Sequence, residues 1–279
     1  MHQINLIDET FDKNQAHHYN FVIQYGLNGL SFCLLDTVKN KYVAFRYYPE
    51  SQYNASNINQ LLTSDEIFSH TYKETLLLYN GGQSTLVPIP YFDETKVPEL
   101  YHFNFGKQDN AEYHFDRLPE TLAVNIYVYP TETLKIFKEK IPALKVFHRT
   151  TPLIENLVQD SARWPRSKCF VSVHKGILDI GLAHLRKLDF FNSFMYREKT
   201  DIVYYILNTL EQFNLSPALT DVYLSVDIDK HEEIYEYLNG FLTHVKFIRP
   251  SEKFTFSYMF DDYVLTRFVN LFNLPSCVL

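Results

Sequence analysis

A chain of 279 residues with 46% apolar and 21% charged residues has the balance of a folded globular protein, with room for two units of ordinary domain size. A net charge of −7, and no Lys/Arg run longer than a pair such as Arg186-Lys187, exclude the electrostatic footprint of a nucleic-acid binder. No apolar window reaches the roughly 18 residues of a membrane-spanning helix, the opening MHQINLIDETFDKNQAHHYN lacks the apolar core of a secretion signal, and three scattered cysteines (Cys33, Cys169, Cys277) suit a reducing cytoplasm better than a disulfide framework.

In chain order, residues 1–20 read as a polar arm in which His17-His18 is an exposed pair. Strand signals follow at 21–25, 30–36 and 42–48, the first two joined by GLNG, whose Asn28-Gly29 suits a tight hairpin. Apolar spacing over 57–69 predicts a short helix, and 75–79 and 85–89 read as strands about the turn Asn80-Gly81-Gly82. Asn54-Ala55-Ser56 matches a glycosylation sequon, without meaning in a cytoplasmic chain, and Cys277 falls one place short of a prenylation signal. Residues 95–121, after a proline-bracketed loop, read as an irregular insertion. A strand at 123–129, a helix over 131–140, a strand at 144–148 and a helix over 151–162 close the first half.

RWPRSK at 163–168 is a polar joint, so residues 21–162 and 169–279 form the expected subdomains. The second half carries strands at 168–173, 177–184 and 188–194, a helix over 199–213, a strand at 221–226, a helix over 231–241, a strand at 245–248 and a helix over 261–272. The plan repeats: FVIQYG at 21–26 and FVSVHKG at 170–176 both end a first strand on a turn glycine, which points to an internal duplication. The 21 Tyr and 23 Phe read as strand-rich packing.

With this order, Tyr25-Gly26 and Leu86-Val87-Pro88, the chain resembles the actin-like ATPase fold of actin, Hsp70 chaperones, sugar kinases and bacterial division and pilus-assembly proteins. In detail it is similar to an uncharacterised bacterial domain-of-unknown-function family of that fold. The resemblance implies an α/β protein of the actin-like ATPase (RNase-H-like) class, two tandem βββαβαβα subdomains around a cleft, with the first hairpin of each half gripping ATP phosphates. In working members each first strand ends in Asp-x-Gly: glycine admits backbone amides to the phosphate, and the aspartates hold hydrated Mg²⁺. Here Gly26 and Gly176 are kept, but the aspartate positions are Gln24 and His174. Neither supplies the anionic oxygen that Mg²⁺ favours, so ATP/Mg chemistry is disfavoured.

A two-metal nuclease of the same topology lacks its first ligand at Gln24; Asp36 and Asp179 read as solvated residues near strand ends. Asp227-x-Asp229-x-His231-Glu232-Glu233 sits at a strand-to-helix junction, where acids favour the helix N-terminus. Cys33 reads as a small buried hydrophobe. The vestigial phosphate hairpins, Gln24, Gly26, His174, Lys175 and Gly176, are the candidate cofactor-binding residues, with no catalytic or metal residue assigned. The expected function is a non-catalytic cytoplasmic interaction scaffold with a protein partner, without nucleic acid or membrane. The alternatives are a nucleotide or anion binder without efficient hydrolysis, or a divergent ATPase or kinase.

Overall fold

The computed structural model describes residues 3–50, 57–228 and 231–278; the sequon at 54–56 and Asp229 lie outside them. The first half runs β1 (Ile4–Ile7), β2 (Tyr19–Gly26), β3 (Gly29–Asp36), β4 (Lys41–Pro49), α1 (Ile58–Ser64) and β5 (Glu74–Asn80). It continues through β6 (Ser84–Pro88), α2 (Val97–Phe105), β7 (Ala111–Leu118), β8 (Ala123–Pro130), α3 (Thr131–Lys140), β9 (Lys145–His148) and α4 (Thr150–Asp160). The second half runs β10 (Lys168–His174), β11 (Ile177–His184), β12 (Lys187–Met195), α5 (Lys199–Gln212), β13 (Asp221–Val226), α6 (His231–Asn239) and β14 (His244–Phe247). Then come β15 (Thr255–Phe256), α7 (Asp262–Arg267) and α8 (Val269–Val278).

The first sheet has the order β1-β4-β3-β2-β5-β9, with β15 on β4, and the second has β12-β11-β10-β13-β14. Without β1 and β15 the orders coincide, so the repeat read from the sequence is a repeat of topology. Two expectations are corrected. Residues 4–7 of the supposed arm form a strand that pairs antiparallel with β4, because Ile4 and Leu6 alternate onto the apolar face of the sheet. The supposedly irregular 95–121 contains α2 and β7. Strand β7 joins β6 and β8 in a separate three-stranded sheet of order β6-β8-β7, which takes the 123–129 strand out of the main order. Pro98, which reads as a loop signal, lies in the first turn of α2, where a missing N–H costs nothing, and Gly106 at φ +70° ends the helix.

Period-2 alternation decides which face each strand residue serves. Phe21, Ile23, Phe32 and Leu34 bury against α1 and α3 on the outside of the first sheet, whereas Val22, Cys33, Phe45 and Leu76 bury against α8 on the inside. In the second sheet Val171, Val173, Ile180 and Leu224 meet α5 and α6 outside, and Phe170 and Ala183 meet α4 inside. Helices α4 and α8 therefore form the shared middle layer, and each half reaches across the other's sheet. Cys33 is buried, as expected. No helix among the described residues is long and apolar enough to cross a membrane.

Gly181 permits this arrangement: a Cβ there would stand 2.7 Å from Leu157 Cδ2 of α4. Gly181→Val should lift α4 from the second sheet and cost about 1–3 kcal/mol, read as a lower urea midpoint at unchanged slope.

Candidate functional site

Both first hairpins turn at the C-terminal ends of β2 and β10, facing the space between the sheets. Gln24 shares its inward face with Val22, and His174 shares its face with Ser172, so alternation sends both side chains into that space. The two turn glycines are needed for different reasons. At Gly26 a Cβ would lie 2.0 Å from the Asn80 carbonyl oxygen of neighbouring β5. At Gly176 the space is open, but φ is +74°, which a tight turn requires and glycine adopts without strain.

The floor of the cleft is a buried polar network. Asp227, just beyond β13, accepts from Gln24 Nε2 (3.1 Å) and Asn80 Nδ2 (2.6 Å) of the first half, and its carbonyl accepts from Asn28 Nδ2. The Arg267 guanidinium approaches its Oδ1 at 3.5 Å. Asp179 of β11 holds Arg149 as a fork, Nε to Oδ2 at 3.1 Å and Nη2 to Oδ1 at 2.9 Å, and accepts from Ser193 Oγ at 2.5 Å. His174 lies between the carboxylates, Nε2 3.5 Å from Asp179 Oδ2 and Nδ1 3.7 Å from Asp227 Oδ2. Burial opposes a charge on His174, but Asp179 and Asp227 outweigh it and raise its pKa above the ordinary histidine value. Burial likewise opposes ionisation of Asp179, and Arg149 with His174 overrides it, holding the carboxyl well below the usual range. Arg149 also donates from Nη1 to the Gly82 carbonyl (2.9 Å), so Gly81-Gly82 is a turn that carries acceptors for the network.

The network continues into the small sheet. Asp116 of β7 accepts from Tyr127 Oη (3.1 Å), Thr151 Oγ1 (2.5 Å) and the His148 amide (3.0 Å). Burial dominates there and pushes Asp116 up to about 7. His148 is kept neutral by burial and by Arg149, its Nε2 donating to the Gly81 carbonyl at 2.9 Å and its Nδ1 accepting from Thr150 Oγ1 at 2.8 Å.

Outside the network the cleft opens into a cavity of about 860 Å³, bordered by Asn28 and Tyr47 on one side and Lys175, Gly176 and Ile234 on the other. Its mouth is largely self-neutralised. Lys175 pairs with Glu50 (2.5 Å) and Lys199 with Glu233 (3.3 Å), and at the start of α5 the Glu198 side chain accepts from the Asp201 amide while the Asp201 carboxylate accepts from the Arg197 and Glu198 amides. Arg197 stands at the rim with no ion pair among the described residues.

Three acids lie elsewhere than expected. Asp179 is fully buried within β11 rather than solvated, and Asp227 is 3% exposed and turned into the cleft rather than serving a helix N-terminus. Asp36 is also buried, closing the β3–β4 turn through the amides of Val38 and Lys39. His231 is not a ligand candidate but stacks on Phe247 at 4.2 Å. Arg149, Asn80 and Arg267 carry no sequence motif; the parity that puts Ser172, His174, Asp179 and Asp227 on one face was the available signal.

Two halves of one strand order, facing across a cleft at their first hairpins, define an α/β protein of the actin-like ATPase fold. The chain belongs to the family described as "Protein of unknown function (DUF3822)", whose model matches residues 8–245. It is similar to a Bacteroides thetaiotaomicron protein of actin-like ATPase fold and unknown function, at 20% identity and TM-score 0.80 over 96% of this chain and 99% of that one. It is also similar to a chain of the PilM-PilN type IV pilus biogenesis complex, at 12% identity and TM-score 0.57 over 91% and 97%. No protein of curated function matches it in sequence. The residues present do not fit the Mg²⁺–nucleotide of that fold, because Asp179 and Asp227, which could meet a cation at the floor, already face Arg149, Arg267 and His174.

Arg149→Met leaves Asp179 buried without its fork and should cost about 3–5 kcal/mol in chemical denaturation, with Arg149→Lys recovering only part because an ammonium cannot make the planar contact. Asp116 has a raised folded-state pKa, so its contribution to stability is complete below about pH 4 and is lost as pH rises through about 7. Asp116→Asn, whose amide can donate to Tyr127 while Tyr127 donates to the Val146 carbonyl, should flatten the decline in stability measured between pH 4 and 7 by a few kcal/mol.

Proposed function

We propose that this chain is a non-catalytic interaction scaffold in which the hairpins of Gln24, Gly26, His174, Lys175 and Gly176 hold the halves together rather than cradle a phosphate. The observation that carries this reading is that the cleft-floor carboxylates face cationic or protonatable side chains of the chain itself, Asp179 the Arg149 fork and Asp227 the Arg267 guanidinium and His174 at 3.5 and 3.7 Å, which opposes a bound cation. A protein partner is supported by analogy with the PilM neighbour, which forms a complex with PilN. It is also supported by the exposed apolar side chains Ile89, Tyr91, Phe103 and Leu122 on the segment that carries the small sheet. Ile89 and Leu122 lie side by side, the Ile89 amide donating to the Leu122 carbonyl at 3.0 Å.

The open outer cavity with Lys175, Gly176 and Arg197 favours a second reading, an anion or nucleotide binder without efficient hydrolysis. A thermal-shift titration with ATP, ADP and GTP, each with and without Mg²⁺, separates the two, since a ligand at 100 times its Kd adds about 2.7 kcal/mol. The scaffold reading expects no shift and no phosphate release. A shift without turnover moves the conclusion to the second reading, and Mg²⁺-dependent turnover overturns both. Gln24→Asp with His174→Asp, which restores the residue types of working members, should give no turnover and should destabilise the fold by at least about 3 kcal/mol, because it buries further carboxylates beside Asp227 and Asp179.

A further inference from the structure

A second cavity of about 450 Å³ lies at the far end of the second sheet from the hairpins, where α4 hands the chain to β10. Its floor is aromatic. Trp164 stacks on Tyr223 at 5.4 Å and 12° and on Phe170 at 5.6 Å and 29°, and Lys168 Nζ caps the stack 4.8 Å from the Trp164 ring. Around this floor stand Asp160 and Arg163 from the α4 side, and Glu252 and Lys253 from the segment before β15. The four carry charges of both signs, yet none has an ion-pair partner among the described residues. Asp160 is solvent-exposed, yet partial desolvation and Glu252 push it up while Arg163 and Lys253 draw it down, so all four share one field. Asn273, 4% exposed, borders the same groove. Its Oδ1 accepts from the Ser251 amide at 2.8 Å, and its side-chain nitrogen donates to no described residue.

We propose that this groove binds an aromatic α-amino acid. Its ring would lie on the Trp164–Tyr223 floor, its ammonium toward Asp160 and Glu252, and its carboxylate toward Arg163, Lys253 and the Asn273 amide. The volume falls within the range of small-molecule sites, and each polar element of such a zwitterion meets a group of opposite character. An anion alone would face the two acids, a cation alone the two bases, and an aliphatic zwitterion would leave the ring floor in water. Because α4 and α8 border the groove together with β13 and β14, an occupant touches both halves at once.

Trp164 is the single tryptophan of the chain, so its fluorescence reports on this groove directly. The full-length protein is titrated with phenylalanine, with N-acetylphenylalanine, which lacks the ammonium, with phenylalaninamide, which lacks the carboxylate, and with alanine, which lacks the ring. Saturable change with phenylalanine at millimolar concentration, at least tenfold weaker for each of the other three, is the expected result. Asp160→Asn and Arg163→Gln, both exposed and outside the buried core, should each weaken phenylalanine about tenfold while leaving the melting temperature of the free protein unchanged. No saturable response to phenylalanine overturns the proposal. So does equal binding of N-acetylphenylalanine or phenylalaninamide, or an unaltered response in both variants. Because the titration involves no nucleotide and no protein partner, its outcome is separate from that of the scaffold reading.

Discussion

Arg149 enters the cleft from the first half, one residue ahead of α4, and its guanidinium is sealed against Asp179 of the second sheet. A guanidinium taken out of water is stable only if its donors are met, and here Asp179 takes Nε and Nη2 while the Gly82 carbonyl takes Nη1. Three separate features of the chain follow from that requirement. The Gly81-Gly82 turn has to present its carbonyls inward; Asp179 has to fall on the inner parity of β11; and α4 has to start where the guanidinium can span the gap between sheets. A buried ion pair contributes little net stability, because desolvation cancels most of the attraction, but removing one partner is costly. Such a pair therefore fixes the relation of the halves more than it strengthens it.

Much of the architecture was legible in the sequence, because strand alternation, turn glycines and helix periodicity are local properties. The duplicated order could be read from FVIQYG and FVSVHKG together with the elements behind them. What stayed hidden was what local pattern does not encode. Pro98 is a breaker in a loop and a benign residue in a helix's first turn, so the segment holding α2 and β7 read as irregular. Arg149 pairs with a residue 30 positions away on another sheet, and nothing in RTTP marks it. The acids fall between these cases. Once β10, β11 and β13 are assigned, parity alone turns Ser172, His174, Asp179 and Asp227 to one side, and polar residues that share an inward face require partners. Reading Asp179 as solvated and Asp227 as a helix N-terminal acid ignored that constraint, since neighbours such as Ile180, Val226 and Leu224 mark their strands as buried on the other face.

The retained glycines show why a fragment of motif is weak evidence for chemistry. At Gly26 the strand pair β2–β5 leaves no room for a side chain, and at Gly176 the turn demands a positive φ. Either demand persists whether or not a phosphate is present. Gln24 and His174 are the more telling positions, because each keeps a hydrogen-bonding head in the buried site while changing what that head can bind. An amide at position 24 donates to Asp227, which a carboxylate there would repel. An imidazole at position 174 lies between two carboxylates and gains proton affinity from both.

These substitutions also bear on motion. Where a ligand bridges two halves, its charges are shared between them and its departure frees them to part. Here the bridging groups belong to the chain itself: Gln24, Asn28 and Asn80 from the first half reach Asp227 of the second, while Arg149 reaches Asp179. Opening the cleft would separate Arg149 from Asp179 and leave buried carboxylates short of partners before water could replace them. With α4 and α8 also packed between both sheets, the low-energy course is for the halves to move as one body. A molecule docking on either half would then meet a preformed surface, so little ordering free energy would be spent on this chain's side.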